Sequence, residues 1–220
     1  IRTHLEGRLD LELIFVDDGS RDGTPETLAG LARQTPWLRV LRHTRNAGQS
    51  AALLTGVRAA RADWVATLDG DGQNDPADLL RLWAMKDSGA AADLYIGHRV
   101  ARHDSPLRRL SSRVANGVRA RLLGDGAPDT GCGIKLFRRE TFLALPYFDH
   151  MHRFLPALIQ REGGKVASVP VNHRPRLRGH SKYGVGNRLW VGIVDLLGVL
   201  WLLRRRRLPG HPVEVGRDGS

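Results

Sequence analysis

The sequence predicts an α/β fold, a mostly parallel central sheet with helices on both faces. Three observations lead there. Short apolar runs alternate with helix-like stretches through the first half of the chain, the order that builds parallel sheets. Two of those runs stop at acidic, glycine-containing loops, Asp17-Asp18-Gly19-Ser20 and Asp69-Gly70-Asp71-Gly72-Gln73. Sites in such sheets lie at the carboxyl ends of strands, so both loops should converge on one crevice.

Glu12 to Val16 reads as a buried strand that ends at the first acidic loop. Thr24-Pro25-Glu26 opens a helix reaching about Ala32, with Thr24 as N-cap and Pro25 at the first helical position. Leu38 to Leu41 is a second strand. Asn46 to Ser50 is a loop, followed by a small-residue helix from about Ser50 to Ala60. Trp64 to Leu68 is a third strand, ending at the second acidic loop, and Asp75-Pro76 starts a helix from about Ala77 to Ser88. Leu94 to Gly97 is a fourth strand.

Beyond residue 98 the pattern loosens. Ser105 to Leu123 looks helical and basic. Asp129 to Lys135 is a glycine-rich turn into a short strand, Leu136 to Arg138. His152 to Arg161 reads as a helix and Val166 to His173 as a strand. Arg174 to Tyr183 is a basic loop. Asn187 to Leu203 is strongly apolar, broken by Asp195 and followed by Arg204 to Arg207. It would span about 25 Å as a helix, short of a ~30 Å hydrocarbon core. That combination fits a helix lying on an acidic membrane surface; a buried core helix is the alternative.

Composition narrows the function. The chain has 220 residues, 41% hydrophobic and 26% charged, which describes a globular protein. Its one cysteine, Cys132, excludes an internal disulfide and fits a reducing compartment. The net charge is +11; four of the basic residues are lysine and thirty are arginine. Arginine grips phosphate bidentately, so an anionic partner is expected: nucleic acid, an acidic membrane or a phosphorylated substrate. A plain bias toward arginine would give the same count. Aromatics are only 6% and no base-stacking motif occurs, which argues against nucleic acid. There is no G-x-x-x-x-G-K-[ST], and no G-x-G-x-x-G between a strand and a helix, so phosphate must be held by metal and arginine. His150 and His152 have no third ligand at zinc spacing and read as surface or packing residues.

Asp69-Gly70-Asp71 is the sharpest chemical signal. Two carboxylates one residue apart at a strand end can reach one hard cation, and Gln73 adds a neutral oxygen. An EF-hand is excluded, since its glycine and glutamate positions hold Asn74 and Leu80. Asp17 and Asp18 are placed to accept hydrogen bonds from a base or ribose, or simply to shape a polar turn.

Six ordered stretches resemble the inverting nucleotide-diphosphate-sugar glycosyltransferases called family 2, and within it the polyprenyl-phosphate branch typified by dolichyl-phosphate mannosyltransferase. They are Val16–Thr24, Asn46–Ala52, Leu68–Pro76, Asp129–Lys135, Arg153–Pro156 and Gly179–Gly184. The resemblance implies a Rossmann-like GT-A fold, with a nucleotide-sugar half (1–98), an acceptor half (99–186) and a membrane-associating helix and basic tail (187–220). It implies that Asp17, Asp18, Asp69 and Gln49 bind the nucleotide-sugar, and that Asp69, Asp71 and Gln73 hold Mg²⁺ or Mn²⁺. Arg99, Arg108, Ser112, Arg176, Ser181 and Lys182 would bind the acceptor phosphate. Asp71, Asp129 and Arg176 would carry the catalysis. The donor would be GDP-mannose or a UDP-sugar, the acceptor a polyprenyl or dolichyl phosphate, and the place the cytoplasmic face of a membrane, touched through 187–207. The resemblance also implies an earlier strand ending in a Pro-x-Tyr-Asn-Glu-like motif; none precedes Leu13, so the chain reads as a fragment. Three other readings stand beside this one. They are transfer to a saccharide hydroxyl, with Asp129 as base, a degenerate inactive member, and a basic nucleic-acid-binding domain.

Overall fold

A computed structural model describes residues 1–100, 117, 119–172, 174 and 185–206, with backbone alone at 2 and 185–189. The elements in chain order are α1 (Arg2–Leu5), β1 (Leu13–Asp17), α2 (Thr24–Gln34), β2 (Leu38–Arg42), α3 (Gln49–Ala59), β3 (Trp64–Thr67), α4 (Asp78–Asp87) and β4 (Leu94–Arg99). Then come β5 (Lys135–Arg138), α5 (Arg139–Leu143), a 3₁₀ turn (Met151–Arg153), α6 (Leu155–Arg161), β6 (Val166–Val171) and α7 (Val185–Arg204). Of the expected 105–123 helix, residues 117 and 119–123 are described, and they are helical.

The strands form two hydrogen-bonded groups. β1 and β2 pair in parallel, Leu13 opposite Leu38. The second group runs β3-β5-β4-β6. β4 and β6 are parallel, as α/β alternation requires, but β5 enters antiparallel to both β3 and β4. Thirty-five residues, 100–134, separate it from β4, which it pairs antiparallel. β6 is an edge, which is where Pro170 is tolerated.

The middle of the second group is buried on both faces. Leu94 lies opposite Phe137, and both join the cluster formed with α3, α5, α6 and α7. One residue on, Tyr95 lies opposite Leu136, and both join the cluster formed with α1, α4 and β6. That period of two, apolar on both sides, is why the sheet carries helices on both faces.

Two local expectations need correction. Thr24 is the first helical residue of α2, not its N-cap; Gly23 holds that position without a side-chain cap. Asp22 takes the Thr24 N–H at 3.1 Å, supplying the acceptor that Thr24 was expected to give. The stretch 152–161 is split, a 3₁₀ turn and then α6 opening at Leu155-Pro156, because Pro156 suits a first turn and not a helix interior.

α7 has two faces. Val199 is buried, and Leu196, Leu200, Leu202 and Leu203 pack on the α3–α6 cluster. Trp190, Val194, Leu197 and Trp201 form an exposed stripe at helical spacing. Asp195, which breaks the apolar run, sits 3.0 Å from His150 Nδ1. Among the described residues no helix is long and apolar enough to cross a membrane.

Candidate active site

The loop after β1 is built around Asp18. Its Oδ1 accepts from His43 Nδ1 at 2.7 Å and from the Ala47 N–H at 2.9 Å. Its Oδ2 accepts from Asn46 Nδ2 and the Gly48 N–H, both at 2.8 Å. Burial alone would push this carboxyl up, but the Ala47, His43 and Gly48 hydrogen bonds outweigh it and hold the group below its ordinary range. A carboxylate offers about four acceptor sites, and all are taken. Asp18, expected on the donor base or ribose, shapes the 46–48 loop through these contacts. Gly19 makes this possible, because a Cβ there would come within 2.7 Å of the Arg45 carbonyl carbon and the Asn46 nitrogen. Asp17 is buried as well. Its Oδ1 takes the Ser20 N–H at 2.9 Å, and Arg42 Nε lies 3.2 Å from its Oδ2, off the hydrogen-bonding direction.

The Asp18-held loop delivers the start of α3 to the second acidic loop. Gln49 Nε2 donates to Asp69 Oδ1 at 2.9 Å. The two acidic strand ends thus meet through residues 46–49. Asp69 presses on Gly133, where a Cβ would fall 2.2 Å from Asp69 Oδ2, so only glycine fits. Burial, reinforced by the like charge of Asp71 against the pull of Lys135, pushes the Asp69 carboxyl up. Asp71 Oδ1 accepts the Gln73 N–H at 3.1 Å.

This donor set fits a hard divalent cation. Two carboxylates of like charge are held together, and burial makes one of them costly without a counter-charge. Among the described residues no group of three or more His, Cys, Asp or Glu gathers into a closed metal site. Asp69 and Asp71, with Gln73 two residues on in the same loop, would hold a cation while leaving positions for diphosphate oxygens.

A cavity of about 170 Å³ opens beside Asp69, lined by Gln49, Thr130, Cys132, Lys135, His152 and Arg153 among others. The Lys135 ammonium is buried and donates to the Cys132 carbonyl oxygen. Burial pushes Lys135 down and the Cys132 thiol up. His152 Nδ1 lies 2.8 Å from Ser50 Oγ on α3. Burial first, then the charges of Lys135 and Arg153, pushes the imidazole down to about 3, so it is neutral here. His152 is thus no surface residue; it joins α3 to the cavity wall.

Arg99 and Asp129 face each other. Arg99 Nε and Nη2 donate to the two Asp129 oxygens at 2.6 and 2.8 Å. Asp129, expected as the acid facing the acceptor, is bidentately engaged, and so is Arg99, expected on the acceptor phosphate. Arg108, Ser112, Arg176, Ser181 and Lys182 lie outside the described residues. The start of the basic segment is placed, however. The Arg174 N–H donates to the Gln73 carbonyl at 3.0 Å, and Arg174 Nη2 reaches Asp75 at 2.5 Å, tying the segment to the acidic loop.

Sequence reasoning assigned no role to His43, Lys135 or Arg153; it read His152 as a surface or packing residue and Arg174 as one of the basic residues of the late loop. Lys135 and Arg153 stood inside matching motifs, which was the one available signal. The partners of His43, His152 and Arg174 lie far away in the chain, as Ser50 and His152 show.

These features define a class, an α/β fold of the GT-A type with an acidic loop at a strand end. The structure of glucosyl-3-phosphoglycerate synthase from Mycobacterium tuberculosis, solved with Mn²⁺, uridine diphosphate and glucosyl-3-phosphoglycerate, has this fold. It superposes with a TM-score of 0.70 at 19% identity, over 92% of this chain and 72% of that one. The chain belongs to glycosyl transferase family 2, whose model matches residues 2–145. It is 36% identical over 204 residues to the dodecaprenyl-phosphate galacturonate synthase of Rhizobium johnstonii, covering 91% of this chain and 60% of that protein. It is also 36% identical over 176 residues to the undecaprenyl-phosphate 4-deoxy-4-formamido-L-arabinose transferase of Edwardsiella ictaluri, covering 79% of this chain and 53% of that protein. The chain thus spans little more than half the length of these curated relatives.

Proposed function

We propose that this protein transfers a sugar from a nucleotide-diphosphate sugar, GDP-mannose or a UDP-sugar, to a polyprenyl phosphate at the cytoplasmic face of a membrane. The observation that carries the reading is the Asp69–Asp71 pair, one member half-buried against Gly133 and steadied by Gln49. Both named relatives are polyprenyl-phosphate sugar transferases, which supports the choice of acceptor.

Bound Mg²⁺ or Mn²⁺ would neutralise the departing diphosphate. The protein's own part is positioning. Gln49 fixes Asp69, and Asp18 fixes the loop that presents Gln49. Arg174, the described start of the basic segment, is tied to Asp75 of the acidic loop. A phosphate acceptor is already an anionic nucleophile: its oxygen bonds to the anomeric carbon as the bond to the diphosphate breaks, and no proton has to be removed. The engagement of Asp129 by Arg99 suits this, since a saccharide hydroxyl would need a free base. The exposed Trp190–Trp201 stripe of α7, ending at Arg204, Arg205 and Arg206, would lie on anionic lipid.

The test uses the full-length protein with Mn²⁺ or Mg²⁺, undecaprenyl phosphate and a panel of nucleotide-sugars. Metal-dependent label in the organic phase from one donor, lost in Asp71→Asn, is expected. Label appearing only on a saccharide acceptor would move the function to hydroxyl transfer, and no use of any donor would make the protein an inactive family member.

A further inference from the structure

The apolar helix α7 carries a single acid, Asp195. Its Oδ2 is buried and lies 3.0 Å from His150 Nδ1, without an aligned hydrogen bond. A buried carboxylate on an apolar helix is costly unless a positive or donating group faces it. His150 is itself in a costly state. Its φ is +63°, and among the described residues it is the only non-glycine in the left-handed region. Such backbone persists where the surroundings hold it. Two carboxylates flank its ring: Asp195 at Nδ1, and Asp149, whose Oδ2 lies 3.7 Å from Nε2. Asp149 Oδ1 also accepts the His150 N–H at 2.8 Å.

From His150 the chain runs directly into the wall of the candidate site. The 3₁₀ turn Met151–Arg153 follows, and the His150 carbonyl accepts the Arg153 N–H at 3.0 Å. His152 and Arg153 line the cavity beside Asp69. The same stretch holds the start of α3. Ser50 Oγ, fully buried, lies 2.8 Å from His152 Nδ1 and accepts the His152 N–H at 3.4 Å. Asp149 Oδ1 stands 3.5 Å from where a Cβ on Gly48 would be. Gln49, between those two contacts, donates to Asp69. Residues 149–152 therefore touch the start of α3 on one side and Asp195 of α7 on the other. The outer face of α7 is the exposed Trp190–Trp201 stripe, so the helix read above as lying on lipid is fastened through Asp195 to the cavity wall.

We propose, resting on the sugar-transfer reading above, that Asp195 and His150 are positioning residues for the donor: the pair fixes the 150–153 turn, and the turn sets Gln49, His152 and Arg153 around the cavity beside Asp69. Neither residue lines the cavity; both act through the turn. A small shift of such a wall is enough to misplace a reacting group.

The experiment uses the full-length protein with Mn²⁺, undecaprenyl phosphate and the panel of nucleotide-sugars. Asp195→Asn removes the charge at nearly constant shape. His150→Gly removes the imidazole and keeps the left-handed backbone. Each should lower kcat/KM for the nucleotide-sugar by about tenfold or more, with the KM of the lipid phosphate unchanged. The double variant should be no worse than the more damaged single one, because the two residues act as a unit. Melting curves on the same samples give the folded fraction to which each rate is referred. Donor kcat/KM at the wild-type value in Asp195→Asn overturns the proposal. So does a loss confined to the KM of the lipid phosphate, which would leave α7 a lipid contact alone. So do losses that multiply in the double variant, or a loss accounted for by a smaller folded fraction. A wild type that transfers from no donor removes the sugar-transfer reading and this proposal with it, a result distinct from transfer that both variants leave intact.

Discussion

Asp17-Asp18 after β1 and Asp69-Gly70-Asp71 after β3 look alike in sequence, yet the fold treats them oppositely. Asp18 collects four donors and is held below its ordinary range. Asp69 receives the Gln49 amide and the like charge of Asp71, and burial drives it up. The first loop is complete as protein. The second holds two like charges together, and burial raises Asp69 in spite of the pull of Lys135. Paired acids at a strand end are therefore only half a signal; the other half is whether the chain satisfies them.

Substitutions can break or sharpen this contrast. The largest effect belongs to Asp71→Asn, which should lower metal-dependent transfer by about 10²–10³-fold or more with little change in melting temperature. Steady-state transfer and a thermal melt on the same sample check it. Gly133→Ala should come next, because its Cβ must displace Asp69. A loss of about 1–3 kcal/mol in denaturant unfolding, with weaker Mn²⁺ binding, is expected. Asp18→Ala should cost a similar ~1–3 kcal/mol, because it strands the Ala47 and Gly48 N–H groups, while Mn²⁺ binding survives in the folded fraction. Equal metal loss in Asp18→Ala and Asp71→Asn would erase the contrast.

The smallest effect is the pH dependence from His152. Its folded value of about 3 lies below the ordinary 6.5, so between those values the unfolded chain binds the proton and the folded chain does not. Its contribution is full above pH 6.5 and falls as pH drops toward 3, with a ceiling of ~1.4 kcal/mol per pH unit. Asp18 has the opposite origin but the same direction. Its stability is present above its unfolded value and is lost only in stronger acid, as pH falls through its lowered folded value. Urea unfolding of wild type and His152→Asn at pH 7 and pH 5 should show a shallower fall in the variant.

Much of the architecture was legible because it is written locally. The runs that became β1, β2, β3 and β4, and the helices between them, carry their own apolar patterning, and observed boundaries fall within a few residues of those read from sequence. The direction of β5 was not legible, since Lys-Leu-Phe-Arg reads the same whichever way it pairs. The acidic loop was legible from Asp69-Gly70-Asp71 alone. The saturation of Asp18 was not, because its partners sit 25–30 residues later and reach it only through the β1–β2 pairing. The cavity was hidden for the same reason. Gln49, Lys135 and Arg153 come from three separate segments that only the packing of α3 on the 3₁₀ turn brings together.

The most direct measurement is Mn²⁺ binding, followed by loss of the free-ion paramagnetic resonance signal in the presence of UDP or GDP. Wild type and Asp18→Ala should both take up the ion with the nucleotide present, and Asp71→Asn should not. Uptake by Asp71→Asn equal to wild type, or loss in Asp18→Ala as complete as in Asp71→Asn, would contradict the assignment of one acidic loop to the fold and the other to the chemistry.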